Sequence, residues 1–126
     1  ASVRLCKGAY SEGPEVALQR KADVDVAYAR CATELLEDGT YPRFATHDHR
    51  LNGAVRREAR RLGREPGDYE FQLLYGVRPD VQRRLVDVGE RVCVYVPFGD
   101  AWYAYFVRRL AERPANLLFL LRAVWS

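Results

Sequence analysis

Tyr105, Arg108, Arg109 and Glu112 stand at i, i+3, i+4 and i+7 of a helix predicted over Tyr103–Arg113. That spacing stacks a phenol, two guanidiniums and a carboxylate on one stripe about 100° wide. The neighbouring face of Ala104, Phe106, Val107 and Leu110 is apolar and suffices to dock the helix. The polar stripe is therefore surplus to folding. Adjacent arginine forks suit a carboxylate or a phosphate, each gripped through two parallel hydrogen bonds. Taken alone, the same pair also fits a solvated helix face.

Four short β-type runs end in Lys7-Gly8-Ala9-Tyr10, Thr46-His47-Asp48, Leu74-Tyr75-Gly76 and Tyr95-Val96-Pro97. In parallel α/β folds, sites gather beyond the carboxyl ends of strands, so these four segments predict one polar and aromatic rim. Gly8 and Ala9 would expose backbone amides to a ligand, and Lys7 is a point charge suited to a phosphate oxygen. Arg4 lies in the middle of an apolar run. A buried, unpaired arginine is costly, so Arg4 either meets a ligand on an inward face or pairs with a carboxylate beneath a helix. The pattern leaves both open. His47 and His49, two apart on a strand, would face one way, but the chain holds no third histidine to complete a metal set. No Ser-His-Asp or Cys-His arrangement stands out.

The elements that must position these groups alternate. Strands are predicted at Ser2–Cys6, Tyr41–Ala45, Tyr69–Leu73 and Arg91–Val96. The first intervening helix turns Val24, Ala27, Tyr28, Cys31, Ala32 and Leu35 inward and stops at Gly39. The second starts at the N-cap Asp48, buries Leu51, Ala54, Val55, Ala59 and Leu62, and ends at Gly63. The third opens on Pro79, buries Val81, Leu85 and Val88, and ends at Gly89. Repeated βα units imply a parallel sheet with helical crossovers. Four units are too few to close a barrel, and no Gly-x-Gly-x-x-Gly follows a strand, which disfavours a dinucleotide-binding half.

Composition narrows the function classes. The 126 residues, 48% hydrophobic and 12% aromatic, fit one folded domain. Net charge is +3, from 18 Arg and 2 Lys against 17 acidic residues. The densest run, Arg56, Arg57, Arg60, Arg61 and Arg64, reads as a solvated helix face, so no nucleic-acid partner is expected. Cys6, Cys31 and Cys93 each sit in an apolar pattern, which predicts reduced thiols in the core. No apolar stretch is long enough to span a bilayer, and no signal-peptide pattern opens the chain. The chain starts at Ala1 and contains no methionine, so it is expected to be a piece of a longer polypeptide.

Aligned in order, five stretches resemble the carboxy-terminal half of a proline dehydrogenase, the flavoenzyme of proline catabolism. They are Val3–Tyr10 (VRLCKGAY), Tyr41–Asp48 (YPRFATHD), Tyr69–Gly76 (YEFQLLYG), Tyr95–Gly99 (YVPFG) and Tyr105–Glu112 (YFVRRLAE). The resemblance implies a distorted (βα)₈ TIM-like barrel, of which residues 1–126 are strands five to eight and the final helix, the amino-terminal half-barrel being absent. It implies oxidation of L-proline to pyrroline-5-carboxylate by hydride transfer to N5 of FAD, with a quinone as electron acceptor. Arg108 and Arg109 then bind the proline carboxylate, Tyr95 and Tyr105 wall its ring, and Leu74 adds an apolar contact. Arg4 serves as the catalytic cation near flavin N5. Arg4, Lys7, Gly8, Ala9, Thr46, His47 and Glu112 form the cofactor set, with Glu112 also bracing the arginine pair.

The resemblance further implies a cytoplasmic enzyme with peripheral contact to the bacterial inner membrane, and it leaves a mitochondrial location open. Cys6 stands where the family usually has valine, and Ser11 where some members carry tryptophan. The isolated piece is expected to be inactive and to self-associate through its open sheet. The competing expectation is a non-catalytic α/β binding domain whose Arg-Arg helix holds an acidic partner.

Overall fold

The computed structural model describes residues 2–7, 13–15 and 18–96. Four strands and three helices alternate: β1 (Arg4–Cys6), α1 (Lys21–Asp38), β2 (Arg43–Ala45), α2 (His49–Arg61), β3 (Glu70–Leu74), α3 (Pro79–Asp87) and β4 (Val92–Tyr95). The strands pair in parallel in the order β1-β2-β3-β4. Sequential order with right-handed crossovers places every helix on the same face. A doubly wound sheet would need helices on both.

The core confirms that one-sidedness. Phe44, Phe71 and Leu73 from the strands join Tyr28, Ala32 and Leu36 of α1, Leu51, Val55 and Ala59 of α2, and Val81 and Leu85 of α3 in one buried cluster. Phe44, Tyr69 and Phe71 make its aromatic centre, with ring centroids 5.8–6.2 Å apart. Successive strand residues point to opposite faces. The other face therefore carries Arg4, Cys6, Arg43, Ala45, Glu70, Gln72, Leu74, Cys93 and Tyr95, and no described helix covers it.

That helix-free face is concave. On a flat sheet the Arg4 and Tyr95 backbones would stand about 20 Å apart, three strand spacings of about 4.8 Å across and four residues of about 3.3 Å along, more than the two side chains can bridge. Yet the Arg4 guanidinium lies 5.1 Å from the ring centre of Tyr95. The register leads from Arg4 to Arg43 to Glu70 and, one back from the Phe71–Val92 pair, to Arg91. Tyr95 is four positions beyond Arg91. A displacement of about one residue per strand step is the stagger of an eight-stranded barrel wall.

Helix ends follow the predicted chemistry. Asp48 caps α2 by accepting from the Arg50 amide at 3.0 Å, Pro79 opens α3, and Gly63, Gly76 and Gly89 take positive φ. Three expectations need correction. The cysteines are exposed, because Cys6 and Cys93 alternate onto the helix-free face and Cys31 lies on the outer side of α1. In α1 the buried position is Leu36, with Leu35 only partly covered, and Val88 at the end of α3 is 52% exposed. The arginine run is not simply solvated. Arg56 pairs at 3.0 Å with Glu90, which is buried, and Arg64 donates to the carbonyls of Leu36 and Gly39, capping α1 from the end of α2.

Phe44 is fully buried between Tyr69 and Phe71. Phe44→Ala is expected to lower the unfolding free energy by about 3–5 kcal/mol in urea titrations, the usual cost of an aromatic cavity. A loss below about 1 kcal/mol would show that the aromatic centre does not hold the sheet.

Candidate active site

The carboxyl ends of the four strands converge on one rim, and each is tied down differently. β2 stops at Ala45, which pairs with Gln72, so the Leu74 amide facing that side has no strand partner. His47 replaces the missing strand: its Nε2 accepts from the Leu74 amide at 3.0 Å. A ring nitrogen that accepts must be unprotonated, so the hydrogen of a neutral His47 sits on Nδ1. Thr46 is buried and equally committed. Its hydroxyl accepts from the Asp48 amide at 3.2 Å, and its carbonyl accepts from buried Asn52 at 3.2 Å.

Lys7, at the end of β1, is not a free point charge. Its ammonium lies 2.7 Å from Asp25 and 3.3 Å from Asp48, and Arg50 approaches the same carboxylates at 3.6 and 3.3 Å. Two cations and two anions thus clamp β1, α1 and the start of α2. Burial alone would push the Asp48 carboxyl up. Hydrogen bonds from the side chain and amide of Arg50 and from Lys7 override it and hold the pKa at about 2.

Arg4 resolves to the helix-free face. It stacks on Tyr95, and among the described residues no carboxylate pairs with it. Leu74 and Tyr95 point to the same concave surface, with Tyr95 53% exposed. The structure therefore brings Arg4, Leu74 and Tyr95 together, with Lys7, Thr46 and His47 along the rim. Gly8, Ala9, Tyr105, Arg108, Arg109 and Glu112 lie outside the described residues. The two histidines do not share a strand face, because His47 is in the loop after β2 and His49 begins α2. Among the described residues no group of three His, Cys, Asp or Glu is placed to hold a metal.

Sequence reasoning missed Asp25, Glu70 and Gln72. Asp25 carries no signal beyond its charge. Glu70 and Gln72 alternate with Phe71 and Leu73, and that alternation marks a strand with one polar face.

Comparison with known proteins agrees with this geometry. The family profile described as proline dehydrogenase matches residues 1–122. The chain is 45% identical over 123 residues to a proline dehydrogenase of Deinococcus radiodurans, covering 98% of this chain and 40% of that one. It is 42% identical over 122 residues to proline dehydrogenase 2 of Bacillus subtilis, covering 97% and 40%. The chain thus spans about two-fifths of the length of these curated relatives. Its fold superposes with a TM-score of 0.79 on proline utilization A (PutA) from Bdellovibrio bacteriovorus, solved after inactivation by N-propargylglycine, at 35% identity over 88% of this chain and 13% of that one.

Asp48 supplies a test of the rim. Its folded pKa is depressed from 3.8 to about 2. The ionic stabilisation is therefore fully present above pH ~4 and is lost as pH falls through about 2. Asp48→Asn keeps a capping side chain but not the charge. The stability gap between wild type and this variant in urea titrations should be constant from pH 6 to about 4 and narrow steadily toward pH 2. A gap unchanged at pH 2 would show that the ion cluster does not set it.

Proposed function

The chain belongs to the proline dehydrogenase family, and on that premise we propose that it is the carboxy-terminal half, strands five to eight, of an FAD-dependent proline dehydrogenase barrel. One observation carries the reading. Arg4 lies on the concave, helix-free face over Tyr95, beside Leu74 and without a carboxylate of its own among the described residues. The barrel-like stagger and the lack of a strand partner outside β1 and β4 among the described residues support completion of the wall by further βα units.

The residues present fit FAD. Gln72 Oε1 is buried on the same face without a hydrogen-bond partner among the described residues, and that face also carries Arg4, with which no described carboxylate pairs. A planar ring with both N–H and carbonyl edges suits that pair. FAD, when bound, supplies the hydride acceptor. The chain supplies the surroundings. Arg4 holds positive charge where electron density accumulates. Tyr95 and Tyr105 wall the proline ring, Leu74 packs against it, and Arg108 and Arg109 fix its carboxylate through bidentate hydrogen bonds. Glu112 braces that pair. Thr46, His47, Lys7, Gly8 and Ala9 border the cofactor, and Lys7 does so as a neutralised member of the rim cluster rather than as a lone charge. A quinone receives the electrons. The non-catalytic reading rests on the Arg108–Arg109 stripe alone. It gives no reason for Arg4, Leu74 and Tyr95 to share one concave surface.

Loaded with FAD under anaerobic conditions, the complete polypeptide carrying this chain should lose flavin absorbance when L-proline is added. Arg4→Met should slow that step by about 10²–10³-fold, the scale of one electrostatic stabiliser. Proline that leaves the flavin oxidised would overturn the proposal. Residues 1–126 alone should show no turnover and should scatter light as a dimer or larger. Turnover by this piece, or a clean monomer, would refute the half-barrel assignment.

A further inference from the structure

The roles above give one buried side chain of the concave face no hydrogen bond of its own. Gln72, at the centre of β3, is 8% exposed. Its Nε2 donates to Glu70 Oε1 at 2.8 Å, whereas its Oε1 is buried and has no hydrogen-bond partner among the described residues. The amide cannot be turned over. An ionised carboxylate only accepts, so the nitrogen must face Glu70 and the oxygen must face away.

Glu70 is itself fixed. The Tyr41 hydroxyl donates to it at 3.0 Å, Arg43 flanks it at 3.7 Å, and Arg91 donates to Tyr41 at 3.3 Å. A network on this face therefore sets the direction of the Gln72 oxygen. Buried acceptors without a donor are rare and mark a place where a donor belongs.

The stagger says which place. Inside a barrel, alternate strands contribute the side chains of one layer. With a shift of one residue per strand, the layer of Arg4 continues two positions beyond Glu70, at Gln72. By the same rule Ala45 and Tyr95 form the next layer. A donor-only guanidinium and an acceptor without a partner among the described residues thus share one level, the layer next to that of Tyr95.

We infer that Gln72 is a positioning residue for the cofactor: its carboxamide oxygen, aimed by Glu70, accepts a hydrogen bond from a ring N–H of the bound flavin in the layer it shares with Arg4. The inference rests on the FAD reading proposed above. An oxidised isoalloxazine carries one such donor, N3–H, between two carbonyls. Reduction adds another at N5. Arg4 serves the acceptor atoms of the ring, and Gln72 serves a donor.

The test uses the complete polypeptide carrying this chain, with Gln72→Met, which keeps the length and removes the acceptor. FAD affinity of the apoprotein, the flavin midpoint potential and the KM for proline are measured together. If the bond goes to N3–H, FAD binds about three- to tenfold more weakly in the variant, the factor one neutral hydrogen bond is worth. If it goes to the N–H that exists only after reduction, oxidised FAD binds as before and the midpoint potential falls. In both cases the KM for proline stays within about twofold.

Glu70→Gln frees the amide to turn and should shift the same quantity in the same direction by a smaller factor. It carries the test alone should the methionine variant fail to fold. FAD affinity and potential both unchanged, or a change confined to the proline KM, would overturn the inference. A wild-type polypeptide that binds no FAD would sink the proposed function instead, so the two failures remain distinct.

Discussion

The division of the sheet into two unlike faces is the constraint on which everything else depends. Phe44 and Phe71 occupy adjacent positions in the register and are fully buried, so they fix which side of β2 and β3 meets the helices. A slip of one residue would send Arg43 and Gln72 into that apolar core and the two phenylalanines out of it. Burying an unpaired guanidinium there would cost more than the sheet could recover. Aromatic packing beneath the helices therefore determines, at one remove, which side chains face away from them.

The two ends of the strands are used differently. At the amino ends the polar groups are structural: Arg56 with Glu90, and Arg64 with the last carbonyls of α1. At the carboxyl ends polar groups also replace missing backbone pairing, as His47 does for Leu74. Between the two ends, the face turned away from the helices carries Gln72 Oε1 at the centre of β3 and the Arg4 guanidinium at the start of β1, and among the described residues neither has a hydrogen-bond or carboxylate partner.

The alternation of elements was readable because hydrophobic period and punctuation agree: Asp48, Pro79, Gly63 and Gly89 mark the ends that were observed. The cysteines misled. Val3-Arg4-Leu5-Cys6 and Val92-Cys93-Val94 look apolar throughout, and only pairing decides which alternate positions meet helices. Lys7 misled for another reason, since its partners Asp25 and Asp48 lie 18 and 41 residues away in the chain and no local pattern couples them. Arg4 was ambiguous for the same cause. Its orientation is a property of the whole sheet.

The contact between Arg4 and Tyr95 is a consequence of the curvature, not its origin. A cation over an exposed tyrosine is worth about 0.5–1 kcal/mol. That is too little to bend four strands whose pairing and aromatic core are individually stronger. The bend must come from the backbone, where each strand step advances by about one residue and the wall coils as a barrel wall does. Arg4 and Tyr95 would then face each other even without mutual attraction, and the space between them is set by the sheet rather than by their own affinity. Such a pair can part to admit a ring at small cost, whereas the strands that carry it stay fixed. A rigid wall bearing a weakly held cation and an acceptor unpaired among the described residues has the preorganisation that a ring ligand would use.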